Sequence, residues 1–150
     1  MVRSSSRVLS LILFCGLLAR FEALAKEPKT NSMAIDGKWS VSTAELAGDA
    51  LPTELFQKMT LILDKVKYTL KSERLDDTGT MVADTTKKPM QLDIKGVEGP
   101  NKGKTLLAIY ELDGDSLKIC YDLEGKARPT EFKTTKGTKQ FLVLYKRIKE

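Results

Sequence analysis

Histidine is absent from the 150 residues of this chain, and that absence excludes a large part of enzymology. A Ser-His-Asp triad, a Cys-His pair and any His-ligated metal site need an imidazole. Cysteine is almost as scarce, with Cys15 and Cys120 alone. Two thiols build neither a structural zinc site nor a disulfide framework. Long apolar runs are also missing. The longest, Val8 to Leu18, has 11 residues, whereas a membrane-spanning helix needs about 20. Carboxylate chemistry is the one broad catalytic class that composition leaves open, and no pair of acids can be assigned to one cleft from the sequence. The chain is therefore read as a non-enzyme, with no catalytic residue, no metal ligand and no cofactor.

What is present is most legible at the N-terminus. Arg3 and Arg7 precede the apolar run, and Ala23-Leu24-Ala25 places small residues where a signal peptidase reads them. This is the tripartite pattern of a secretory signal peptide over residues 1–25. Phe14 before Cys15 is too bulky for a lipoprotein signal. Cleavage after Ala25 leaves one domain, soluble and expected to be monomeric, in the periplasm or outside the cell. The signal takes three basic residues and one acid with it, so the net charge falls from +5 to +3. Cys120 then has no partner and is read as a small, semi-buried side chain. The stretch 26–36, KEPKTNSMAID, is polar and reads as a flexible tether.

From residue 37 onward the dominant period is two. Trp39, Val41 and Thr43 alternate with Ser40, Ser42 and Ala44. ALPTELFQKM follows, where Pro52 suits a first helical turn and Leu51, Leu55 and Phe56 can share a face; one or two turns of helix are expected. Thr60–Asp64, Val66–Lys71, Thr80–Asp84, Met90–Ile94, Thr105–Leu112, Leu117–Tyr121 and Phe141–Ile148 then read as strands. Thr105–Leu112 is apolar on both faces, as a covered strand would be. Asp113-Gly114-Asp115 marks a tight hairpin, expected as a type I′ turn. Asp76-Asp77 and the Asp113/Asp115 pair read as turn residues, since neither has the spaced ligand set of a calcium loop. The expectation is an all-β fold: a small antiparallel barrel of about eight strands, with one short helix after the first strand. Closure would remove exposed sheet edges; a two-sheet sandwich is the alternative.

EGPNKGKT, at 98–105, resembles a phosphate-binding loop but fails its test. The motif needs four residues between its glycines and must open a helix. Here only Pro100, Asn101 and Lys102 intervene, and a strand pattern follows. It reads as a turn, and neither nucleotide nor nucleic acid is expected as a partner.

GKW at 37–39, the block EGPNKGKTLLAIYELDGDSLKICYD at 98–122 and GKARPTEF at 125–132 resemble a domain family of unknown function that is abundant in planctomycete bacteria and described as lipocalin-like. The resemblance covers most of Asp36 to Arg147. It implies a small calycin-type barrel over residues 37–150, with Trp39 plugging the closed end. It further implies a basic residue of the last strand, Arg147 or alternatively Lys146, stacked on that indole. It implies no activity.

The inward positions expected from alternation are Trp39, Tyr68, Leu92, Tyr110, Leu117, Ile119, Tyr121 and Phe141. They would line either a hydrophobic pocket with tyrosine hydroxyls for orientation or a filled core. The candidate ligand-binding residues are Trp39, Tyr68, Tyr110, Tyr121 and Arg128. Arg128 could hold a ligand anion, or pair with Glu131 and pin the long loop. Residues 126–150 hold eight basic and two acidic residues, a face that could meet an anionic cell-envelope surface. The expected function is ligand binding, with a small hydrophobic or amphipathic molecule as partner. A structural or interaction domain of the envelope with a solid core is the alternative.

Overall fold

Nine strands account for most of the chain beyond residue 36: β1 (Gly37–Leu46), β2 (Asp49–Ala50), β3 (Thr60–Asp64), β4 (Lys67–Lys71), β5 (Asp77–Asp84), β6 (Met90–Glu98), β7 (Thr105–Asp113), β8 (Ser116–Asp122) and β9 (Gln140–Arg147). They come from a computed structural model, which describes residues 34–74 and 76–150. The signal peptide and most of the tether inferred above lie outside the described residues. From β3 to β9 each strand pairs with the next, and β1 pairs with both β3 and β9. Eight strands thus close into an antiparallel barrel, and the two-residue β2 extends β1 at one end. Closure leaves the eight-stranded ring with no free edge to which another strand could add.

The alternation predicted from the sequence is kept in the central strands. Leu92 and Ile94 are buried on β6, as are Leu117, Ile119 and Tyr121 on β8. It breaks on β1, where a bulge between Val41 and Thr43 shifts the pairing with β9 by one residue. Thr43 therefore turns outward and Ala44 turns in, with 5% exposed, against the expected pattern. A bulge adds one residue to one strand only, so every side chain beyond it changes face.

Three further expectations are corrected. The helix after the first strand does not form. A single 3-10 turn, Thr53–Leu55, stands in its place, because Phe56 leaves helical geometry at φ −133° and turns inward while Leu55 is left in solvent. The tether does not extend to residue 36, since Ile35 is fully buried and its carbonyl accepts the Trp39 indole N–H at 2.9 Å. The β7–β8 hairpin is tight, with Asp113 opposite Ser116, but only Gly114 takes a positive φ, 54°. That is the glycine placement of a type II′ turn, not of type I′.

Both faces of β7 and β8 are covered, as the apolar run Thr105–Leu112 suggested. Ala108 and Tyr110 belong to the interior cluster, whereas Ile109 and Cys120, partners across β7 and β8, are buried outside it. The strap between β8 and β9, residues 123–139, lies over them: the Cys120 thiol donates to the Lys133 carbonyl at 3.5 Å. Burial pushes that thiol up to about 11, so Cys120 is packing and not a ready nucleophile.

Asp122 sets the start of the strap. Its carboxylate accepts the backbone N–H groups of Glu124, Lys126 and Ala127 at 3.1, 2.7 and 2.7 Å. Burial would raise its pKa, but these bonds outweigh it and hold the carboxyl below its usual range. A depressed carboxyl stabilises the fold above its unfolded pKa, and that contribution is lost as pH falls through the folded value. Asp122→Asn is therefore expected to lower stability by about 2 kcal/mol at pH 7. Urea midpoints of the two proteins should converge as the pH drops below the ordinary carboxylate range. An unchanged gap at acid pH would mean that charge is not what organises the strap.

Candidate functional site

Trp39 sits where β1 joins its two neighbours, opposite Leu61 on β3 and Arg147 on β9. It is fully buried, and the Arg147 guanidinium lies 4.1 Å from the ring centroid. Arg147, not Lys146, is the stacking partner. The same guanidinium donates to the carbonyls of Asp36 at 2.6 Å and Ala34 at 3.2 Å. Gly37 makes room for it: a Cβ there would stand 2.7 Å from Arg147 Nη1, and the residue takes a φ of +135° that side chains disfavour. This end of the barrel is plugged.

Above the plug the interior is not filled. A cavity of about 90 Å³ remains, walled by side chains such as Leu61, Met81, Leu92, Leu106 and Ile119. Most of its lining is buried. The partly exposed lining residues are Leu70, Asn101, Leu123 and Phe141. Each lies at or beyond the same end of its strand, or in the β6–β7 loop, so the chamber opens opposite Trp39.

Two polar constellations face it. In the wall, the Tyr121 and Tyr145 hydroxyls meet at 3.0 Å. Burial raises both phenols, Tyr145 to about 12 and Tyr121 well above its ordinary value, where Tyr145 adds to the effect. Nearer the open end, Asp77 is 5% exposed. It accepts Tyr68 Oη–H at 3.2 Å, Asn101 N–H at 3.1 Å and Asn101 Nδ2–H at 2.6 Å. Burial raises the Tyr68 phenol, and the Asp77 charge and hydrogen bond raise it further. All three tyrosines stay protonated near neutral pH and act as hydrogen-bonding groups, not bases.

Asn101 reaches Asp77 because EGPNKGKT folds back over the rim. Lys102 N–H donates to the Gly99 carbonyl at 3.1 Å, Gly103 N–H to Gly96 at 3.0 Å and Lys104 N–H to Asn101 at 2.9 Å. The stretch is a turn followed by strand β7, and it carries a polar side chain into the chamber mouth.

The five candidate residues therefore part company. Tyr68 and Tyr121 line the chamber. Trp39 forms the plug beneath it, and Tyr110 is buried without reaching the lining. Arg128 lies on the outer face: Nη1 bridges the carbonyls of Leu92 at 2.9 Å and Ala108 at 2.8 Å, and Nη2 pairs with Asp93. It pins the strap, as the loop-holding expectation had it, but through Asp93. Glu131 pairs instead with Lys133, at 2.7 Å. Asp77, Asn101 and Tyr145 were not singled out from sequence. From sequence Asp77 reads as a turn residue, and no local pattern reveals that it opens β5 facing inward. Among the described residues no group of three or more His, Cys, Asp or Glu side chains could hold a metal ion, and no helix is long and apolar enough to cross a membrane.

Comparison with protein-family models, with characterised proteins and with solved structures returns no match for this chain.

Proposed function

We propose that the protein is an exported, non-enzymatic, lipocalin-like binding module that takes the apolar end of a small amphipathic ligand into its chamber. The observation that carries this reading is an oily cavity, plugged at one end, whose carboxylate and amide lie toward the open one. Its 90 Å³ equals the share of about three water molecules in the liquid. The last few carbons of a tail fit there, and the rest would lie among Leu70, Leu123 and Phe141. Burying four methylenes at ~0.8 kcal/mol each gives about 3 kcal/mol, so a simple alcohol should bind with millimolar affinity.

The same volume favours a second reading, a structural or interaction domain of the cell envelope with an essentially filled core. Pockets for drug-sized ligands start at about 300 Å³. A hexanol titration followed by methyl chemical shifts separates the two. Saturable shifts confined to chamber residues such as Met81, Leu106 and Ile119 are expected. Native mass spectrometry of protein from its source should also reveal a co-purifying molecule. Absence of saturation up to the solubility limit of hexanol, with bare protein recovered after incubation in lipid extract, would leave the filled-core reading.

A further inference from the structure

The charge inside the mouth specifies a headgroup. Among the described residues no Lys or Arg lines the chamber, and Asp77 is the one charged side chain that does. Among the described residues no cationic nitrogen lies within ion-pair distance of that carboxylate. Its three partners are neutral donors: Tyr68 Oη–H and Asn101 Nδ2–H on Oδ2, and Asn101 N–H on Oδ1. A carboxylate has about four acceptor sites, so Oδ1 keeps one lone pair. Neutral donors stabilise a buried negative charge without cancelling its field, and low-dielectric walls focus that field into the cavity. A carboxylate or phosphate entering here would meet a like charge with no cation to balance it. Arg128, for which anion binding is one of the two sequence readings, is on the outside of the barrel, occupied by two carbonyls and Asp93.

We propose that the chamber is selective for a cationic amphiphile: a primary ammonium head on Asp77 at the mouth, with a short aliphatic tail directed inward. This rests on the ligand-binding reading above and assigns the chemical class of its ligand. The ammonium would supply the cation that Asp77 lacks and complete its hydrogen bonding at Oδ1. The tail would run between Phe141 and Leu70 toward Met81 and Ile119. A hydroxyl head of equal size would gain a hydrogen bond without the charge pairing, and a carboxylate head would be repelled.

Three probes with one six-carbon tail test this: hexylammonium, hexanol and hexanoate, titrated at constant ionic strength and followed by the same methyl shifts. Hexylammonium is expected to bind at least 10-fold tighter than hexanoate, with hexanol between them. Asp77→Asn should abolish the advantage of hexylammonium, so that in this variant hexylammonium binds no tighter than hexanol. Tyr68→Phe, which removes a donor and keeps the charge, should preserve the ammonium preference. If hexanol binds and hexylammonium has no advantage over hexanoate, the headgroup assignment is wrong and the chamber remains a ligand site. An ammonium preference that survives in folded Asp77→Asn overturns it equally. If none of the three saturates, the ligand-binding reading fails first and takes this assignment with it. Should Asp77→Asn not fold, the wild-type series decides alone.

Discussion

Trp39→Ala is expected to cost about 4 kcal/mol, near the upper end of what truncating one buried aromatic does. For a domain whose stability lies in the range of about 5–15 kcal/mol, that brings it close to unfolding at room temperature. Three terms combine. The indole is fully buried at the junction of β1 with β3 and β9, so its loss opens a cavity where the ring of strands closes. Its N–H bond holds Ile35, and with it the segment entering β1. Its π face carries Arg147 at 4.1 Å, an attraction of about 1 kcal/mol that leaves with the ring. The measurement is the urea midpoint, which should fall by about 2 M at an unchanged slope near 2 kcal/mol per molar. Trp39→Phe keeps most of the volume and should cost about half as much. Arg147→Met should cost less than Trp39→Ala, because its contacts are a ring face, backbone carbonyls and a half-exposed ion pair with Asp115 at a partly exposed site. A Trp39→Ala loss below ~1.5 kcal/mol, the usual cost of a mild core swap, would mean that the plug does not hold this end together.

Closure itself was readable in advance because it follows from local chemistry repeated along the chain. Period-two alternation at Met90–Ile94 and Leu117–Tyr121 states which side of each strand is oily, and strands of that kind joined by short turns have few ways to hide those sides. The Trp39–Arg147 pair was legible too, through the resemblance of GKW and the last strand to a lipocalin-like pattern. What was not legible depends on contacts between residues far apart in sequence. Asp77 and Asn101 are separated by 24 positions, and nothing next to either announces the other. Turn statistics favour Asp76-Asp77 in a loop, yet a burying environment with three donors takes Asp77 into β5. That Arg128 stays outside the chamber is illegible for a related reason. Its sequence position in a Gly/Pro loop does not say which side of the sheet the loop covers. The helix expected at Pro52 rests on cap preferences, which act only when enough residues follow to bury a helical face.

Gly79→Ala is the second large effect, expected at about 3 kcal/mol and at the upper range for overpacking a tight site. Gly79 stands opposite Tyr68 on β4 and Gly96 on β6, beside a bulge at Thr78. A methyl built there would lie 2.0 Å from the Lys95 carbonyl oxygen and 2.6 Å from Tyr68 Cε1. The oxygen belongs to the backbone and cannot rotate away, so β5 and β6 must part, and Tyr68 must shift as well. If Tyr68 leaves, its hydrogen bond to Asp77 breaks, and the Asn101 loop at the chamber mouth loses the group that orders its anchor. The expected readouts are a lowered urea midpoint, a displaced Asn101 side-chain amide resonance and weakened hexanol binding. Gly103→Ala separates this cause from backbone strain. Gly103 has a φ of +77° but nothing within 4 Å of an added Cβ, so its cost should be only the left-handed penalty of about 1–2 kcal/mol, with the Asn101 resonance in place. Were Gly79→Ala no costlier than Gly103→Ala, and the Asn101 amide unmoved, the close packing of Tyr68 over Gly79 would not be what holds Asp77 at the mouth. The ordering of that carboxylate would then have to come from Asn101 alone.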